Sequence, residues 1–112
     1  MSKEKLPDIK NIYSPAFGDK NAETIETLIS RNNIRVERII SNGQASPGGF
    51  WYDQAEDEWV ILLKGIAELE FENDQTLELA EGDYILIPAH TRHRVRSTST
   101  DPICIWLAVF IS

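Results

Sequence analysis

Two histidines, His90 and His93, stand in the stretch PAHTRHRV and are the only ones in the chain. Imidazole is the commonest transition-metal ligand and a proton carrier near neutral pH. On a strand, His93 shares a face with Val95 and Ser97 and points inward, while His90 follows Pro88 in a turn, at a rim position. Glu58 is the second point of interest. It opens the apolar run EWVILLK and has the same parity as Val60 and Leu62. A carboxylate on an inward face must be paired, hydrogen-bonded or metal-bound, because burying a bare charge is costly. Just before it lie Tyr52, Asp53 and Gln54. Tyr52 and His90 are the nearest candidates for catalytic proton transfer. Each residue also has a plainer reading: His93 as a core histidine satisfied by a neighbour, Glu58 at a strand mouth in water, Asp53 as a solvated loop acid.

The elements that must position these residues are mostly strands. Pro7 and Pro15 break any helix in residues 1–20. In NAETIETLISRNN, Asn21 is a helix cap and Ile25, Leu28 and Ile29 fall at i, i+3 and i+4, so a short helix is expected over 22–31. Beyond residue 33 the pattern is strand and turn. IAELEFE alternates cleanly, YILIP stops at Pro88, RHRVRST alternates again, and ICIWLAVFI is a long last strand. The division is therefore a lead-in with a helix over 1–33 and an all-β barrel or sandwich over 34–112. The Arg92, Arg94, Arg96 row is expected to pair across strands with Glu68, Glu70 and Glu72. Residues 58–63 and the last strand are apolar on both parities. An outer apolar face needs a cover, either the N-terminal helix or a second copy, and a homodimer is expected.

Eleven Lys and Arg against 18 Asp and Glu give a formal net charge of −7, which disfavours nucleic acid and anionic membranes as partners. A small-molecule ligand is the expected partner, with Tyr52, Trp51, Phe50 and Trp59 as candidate aromatic lining. The single cysteine, Cys104, lies in an apolar run and reads as a buried packing residue. No stretch reaches the length of a membrane span, the first residues lack the apolar core of a signal peptide, and a cytoplasmic location is expected.

Two spacings carry a family resemblance. Gly82, five residues, Pro88, and then His93 is similar to the second motif of the cupin superfamily, G-x5-P-x-G-x2-H-x3-N. Glu58, six residues and Gly65 resemble the tail of the first, G-x5-H-x-H-x3–4-E-x6-G. The chain over about 34–111 thus resembles a small single-domain bacterial-type cupin, a group whose members lack an assigned activity. The resemblance implies a double-stranded β-helix, or jelly-roll barrel, with a divalent metal at its open end. It carries ligand roles onto Glu58 and His93. The two first-motif histidines are replaced by Tyr52 and Gln54 in one register, or by Trp51 and Asp53 in the other. The resemblance thus implies a mixed nitrogen and oxygen donor set of Glu58, His93 and Gln54 for Fe, Mn, Ni or Zn, weaker than one of three histidines; with Asp53 in place of Gln54, the composition becomes that of a non-haem iron facial triad. His90 takes the glycine position of the second motif and Ser97 the asparagine position. Two functions follow as expectations: a metal-dependent dioxygenase, isomerase or lyase, or a non-catalytic binder of a sugar or organic acid with a degenerate metal site.

Overall fold

A computed structural model describes residues 6–112. Eight strands follow one another with no helix among the described residues: β1 Thr24–Arg31, β2 Ile34–Ser41, β3 Asp57–Lys64, β4 Ala67–Phe71, β5 Gln75–Leu79, β6 Tyr84–Ile87, β7 His93–Thr98 and β8 Cys104–Ile111. They form two antiparallel sheets, one ordered β1-β2-β8-β3-β6 and one ordered β5-β4-β7. The sheets share one apolar interior, built from Val60 and Leu62 on β3, Ala67 and Leu69 on β4, Leu79, Ile87, and Cys104, Trp106, Ala108 and Phe110 on β8. Cys104 is fully buried.

The helix expected over 22–31 is not formed; that segment is β1, paired with β2 along its length. The reason is visible in the pairing. The register shifts between Thr27 and Ile29, so Leu28 is an extra residue opposite β2. A bulge of this kind slides the inward–outward alternation by one residue. Ile25 before the bulge therefore faces the cavity side with Ile39, while Ile29 after it lies on the outer face with Val36, so the i, i+3, i+4 spacing of Ile25, Leu28 and Ile29 does not mark one face. Thr24, Ile25, Thr27 and Ile29 are also β-branched, which suits a strand with a partner. The barrel's five-stranded sheet therefore includes residues from the expected lead-in.

A second bulge alters the basic row. β4 and β7 pair Glu68 with Ser97 and Leu69 with Val95, leaving Arg96 as the extra residue. Arg94 meets Glu70 at 3.0 Å and Arg92 meets Glu72 at 3.2 Å, as the alternation predicts. The third position does not pair that way: Glu68 accepts a hydrogen bond from Ser97 at 2.9 Å. Ser97 thus leaves the face of His93, and Thr98 turns inward in its place, buried.

The long connection from β2 to β3 lies against β7. Ser46 N–H donates to the Val95 carbonyl at 2.8 Å, and Val95 N–H donates to Ser46 Oγ at 3.0 Å. Farther along, Tyr52 and His93 exchange both backbone hydrogen bonds, at 2.7 and 3.1 Å. This bridge acts as one more rung of sheet and fixes the first-motif segment beside the second.

Candidate functional site

Backbone alternation settles which first-motif residues face inward. With Tyr52 held against His93, Tyr52 and Gln54 point into the barrel, and Trp51 and Asp53 point out. A cavity of about 180 Å³ opens there, lined by Tyr52, Gln54, Glu58 and His93 together with apolar side chains of both sheets.

His93, at the start of β7, is only 4% exposed. Its Nδ1–H donates to the Thr91 carbonyl at 2.8 Å, which turns Nε2 toward Glu58 Oε1 at 3.5 Å. Gln54 donates its amide to the same carboxylate oxygen at 3.0 Å. The Tyr52 ring stacks on the imidazole at 5.4 Å between centroids, and Phe71 lies on it at 6.1 Å. Burial alone would lower the His93 pKa. The hydrogen bond to Glu58, the Thr91 carbonyl and the Glu58 charge outweigh it, so the pKa is raised and imidazolium is favoured. Burial raises the Tyr52 pKa, and the charges of Glu23 and Glu58 raise it further, so the phenol keeps its proton. The cluster thus holds two proton donors, Tyr52 and His93, around one carboxylate.

Asp53 and His90 lie outside this cluster. Neither lines the cavity. They pair with each other at 2.8 Å on the rim, with side chains 47% and 70% exposed. His90 occupies a left-handed turn with φ of 60°, at the position where the second motif has glycine. Its N–H donates to the Gln54 carbonyl at 2.7 Å, so its backbone, rather than its ring, serves the cavity by fixing Gln54. Of the aromatic candidates, Phe50 packs edge-on against Tyr52, Trp51 lies under Arg92 and Arg94, and Trp59 pairs with Tyr84 away from the cavity.

Five further lining residues come from the first two strands and the residue before them: Glu23, Ile25, Arg35, Glu37 and Ile39. Glu23 accepts a hydrogen bond from Ser41 Oγ at 2.9 Å, and Ser41 in turn accepts one from Trp106 Nε1 at 3.2 Å. Arg35 lies over the Phe110 ring and binds Glu37 at 3.0 Å and both oxygens of Glu56 at 3.1 and 3.2 Å. The sequence held one signal for this wall: Arg35 and Glu37 are charges two apart on a strand whose opposite parity is Ile34 and Val36. Glu23 had none, because a helix was expected there.

The family model described as "Cupin domain" matches residues 38–110. The chain is a cupin. A solved structure from Ralstonia eutropha JMP134, described as "a putative mannose-6-phosphate isomerase", is 41% identical, with a TM-score of 0.89 over 95% of this chain and 99% of its own. A cupin superfamily protein of Desulfitobacterium hafniense DCB-2 gives a TM-score of 0.77 at 18% identity, covering 99% and 98%. A Streptococcus pyogenes protein of unknown function gives 0.76 at 19% identity, covering 99% and 92%. The last two speak to the fold alone. No curated protein matches the chain.

Cupins commonly bind metals, and the donor set here tests that expectation. Among the described residues, no three His, Cys, Asp or Glu side chains come together as a metal-holding group. Glu58 and His93 retain the motif positions, but they face each other and Gln54 turns its amide hydrogens, not its oxygen, to the carboxylate. Tyr52 ligates well only as phenolate, and its surroundings keep it a phenol. One carboxylate and one imidazole do not make a tight site for a divalent transition metal. No helix of the described residues is long and apolar enough to cross a membrane.

Proposed function

We propose that this cupin binds a small organic molecule inside its barrel, with Tyr52, Gln54, Glu58 and His93 as the polar recognition group. One observation carries the reading: these four side chains form a connected cluster at an apolar cavity, the usual composition of a small-molecule site. A pure scaffold has little physical reason to bury a carboxylate and an imidazole together. The site is a binder, in which Glu58 accepts a hydrogen bond from the ligand, Tyr52 donates one, and His93 holds the Glu58 carboxylate in place.

The reading it displaces is a metal-dependent dioxygenase, isomerase or lyase with Fe, Mn, Ni or Zn on Gln54, Glu58 and His93. The donor set argues against it. The sugar phosphate named for the Ralstonia relative is also a poor match. The one guanidinium at this cavity, Arg35, already pairs with Glu37 and Glu56.

The test is a ligand-induced melting screen of the untagged protein, run with elemental analysis. A binder raises the melting temperature of the wild type but not of Glu58→Gln or His93→Ala. Stoichiometric metal that is lost in His93→Ala would sink the metal-free reading.

We infer further that two copies associate through the outer face of the five-stranded sheet. Without a helix to cover it, that face leaves Ile29, Ile34, Tyr84, Leu86 and Ile111 exposed. Register places Ile34 beside Ile111, and Leu86 beside Trp59, on this outer face. Light scattering after size exclusion should give twice the chain mass, and Leu86→Glu should give the monomer. A monomeric wild type at micromolar concentration would end this inference.

A further inference from the structure

The cavity's charges say which ligands it favours, provided that it is a ligand site. Its lining holds three carboxylates, Glu23, Glu37 and Glu58, against one guanidinium and one imidazole. Each cation is committed. Arg35 spans Glu37 and Glu56, and His93 faces Glu58. Glu23 is different. Its described partner is the Ser41 hydroxyl, and among the described residues no Lys, Arg or His pairs with it.

Apart from the Gln54 amide and the Tyr52 hydroxyl, the rest of the lining is apolar or aromatic. Ile25, Ile39, Val60, Leu69, Trp106 and Phe110 supply most of the wall. A polyol there would leave those hydroxyls beyond reach of the polar groups facing hydrocarbon, without a hydrogen-bond partner. A carboxylate or phosphate would meet like charge from Glu23, Glu37 and Glu58. An ammonium group on a small hydrocarbon body satisfies both features. Its charge pairs with Glu23, aromatic faces favour it, and its apolar part fills the remaining volume. The volume of about 180 Å³ is adequate, since an apolar cavity of about 150 Å³ accepts benzene.

We propose that the cavity takes a small organic amine in its ammonium form, paired with Glu23 beside the Tyr52 hydroxyl and packed against Ile25, Ile39, Trp106 and Phe110. The proposal deepens the reading of the barrel as a ligand site and depends on it. Glu23 is then the residue that sets specificity, and it lies outside both cupin motifs.

The experiment compares benzylamine, benzyl alcohol and benzoate by calorimetric titration at pH 7.5 and low salt. These probes share one ring and differ in charge. Benzylamine is expected to bind at least about tenfold more tightly than benzyl alcohol, the scale of one charge-assisted hydrogen bond. Benzoate is expected to give no heat. Glu23→Gln, which keeps an acceptor for Ser41, should remove the preference for the amine. Should that variant not fold, the wild type still decides, because amine affinity must fall with added salt while alcohol affinity does not. Alcohol or benzoate binding as tightly as amine would overturn the charge assignment and leave the ligand site standing. No response to any of the three at millimolar concentration, with hits elsewhere in the melting screen, would overturn the assignment alone. No response in either experiment would overturn both.

Discussion

Along β3 the inward positions run Glu58, Val60, Leu62, and the two ends of the barrel differ accordingly. At the Leu62 end, Leu62, Leu79 and Cys104 are essentially inaccessible to solvent. Gly65 turns the chain there with φ of 95°, and a Cβ at that position would meet Cys104 Sγ at 2.7 Å. Hydrocarbon fills this end, and its turn tolerates no side chain. At the Glu58 end, His93 is nearly as buried as Leu62, yet its neighbours are a carboxylate, an amide and a phenol around open volume. Equal burial thus serves two purposes. The packed end supplies the stability that lets the other end hold polar groups out of water.

The comparison breaks most readily at the packed end. Leu62→Ala should cost about 2–5 kcal/mol in urea denaturation, as a cavity-forming change in a tight core does, while leaving the His93 titration unchanged. A loss below about 1 kcal/mol would mean that this end does not anchor the barrel.

Glu58→Gln is the corresponding change at the polar end, with an expected cost of about 1–3 kcal/mol. Its cost should depend on pH in a defined direction. The folded-state pKa of His93 is raised, so the pair's contribution is complete below the ordinary histidine pKa and is lost as pH rises through the raised value. The variant's deficit should therefore be largest under mildly acidic conditions and shrink toward alkaline pH. An NMR titration should show the His93 pKa falling in Glu58→Gln. An unchanged pKa would show that Glu58 does not hold the proton on His93.

Much of this division was legible in the sequence. The alternation of IAELEFE and RHRVRST put Leu69, His93 and Val95 inside, and the paired motifs brought Glu58 and His93 to one place. Three features escaped for local reasons. The i, i+3, i+4 spacing of Ile25, Leu28 and Ile29 reads as a helix but spans a strand bulge at Leu28, which hid Glu23 and Ile25. The bulge at Arg96 moved Ser97 to the outer face. The choice between Asp53 and Gln54 depended on one residue of register, which the Tyr52–His93 bridge fixes through contacts that are distant in sequence.

Smaller effects sharpen the contrast. Tyr52→Phe should change stability by less than about 1 kcal/mol, because the ring keeps its stacking on His93. It should nonetheless weaken ligand binding. A large stability loss would reassign Tyr52 to the packed framework. Arg92→Ala, on the exposed outer row, should cost between about 0 and 1 kcal/mol in the same denaturation assay. A greater cost would give the outer row a structural weight that the paired interior does not require.

β1 gives the cavity wall a mechanical character of its own. It is the edge of its sheet, held by β2 alone, whereas β8 is held on both sides. Edge strands open at lower free energy than central ones, so backbone amides on β1 should exchange with solvent well before those on β8. Ile25, and with it the adjoining Glu23, therefore sits on the part of the barrel that detaches without unzipping the interior. Residence time in the cavity would then be governed by how fast that edge peels and reseals.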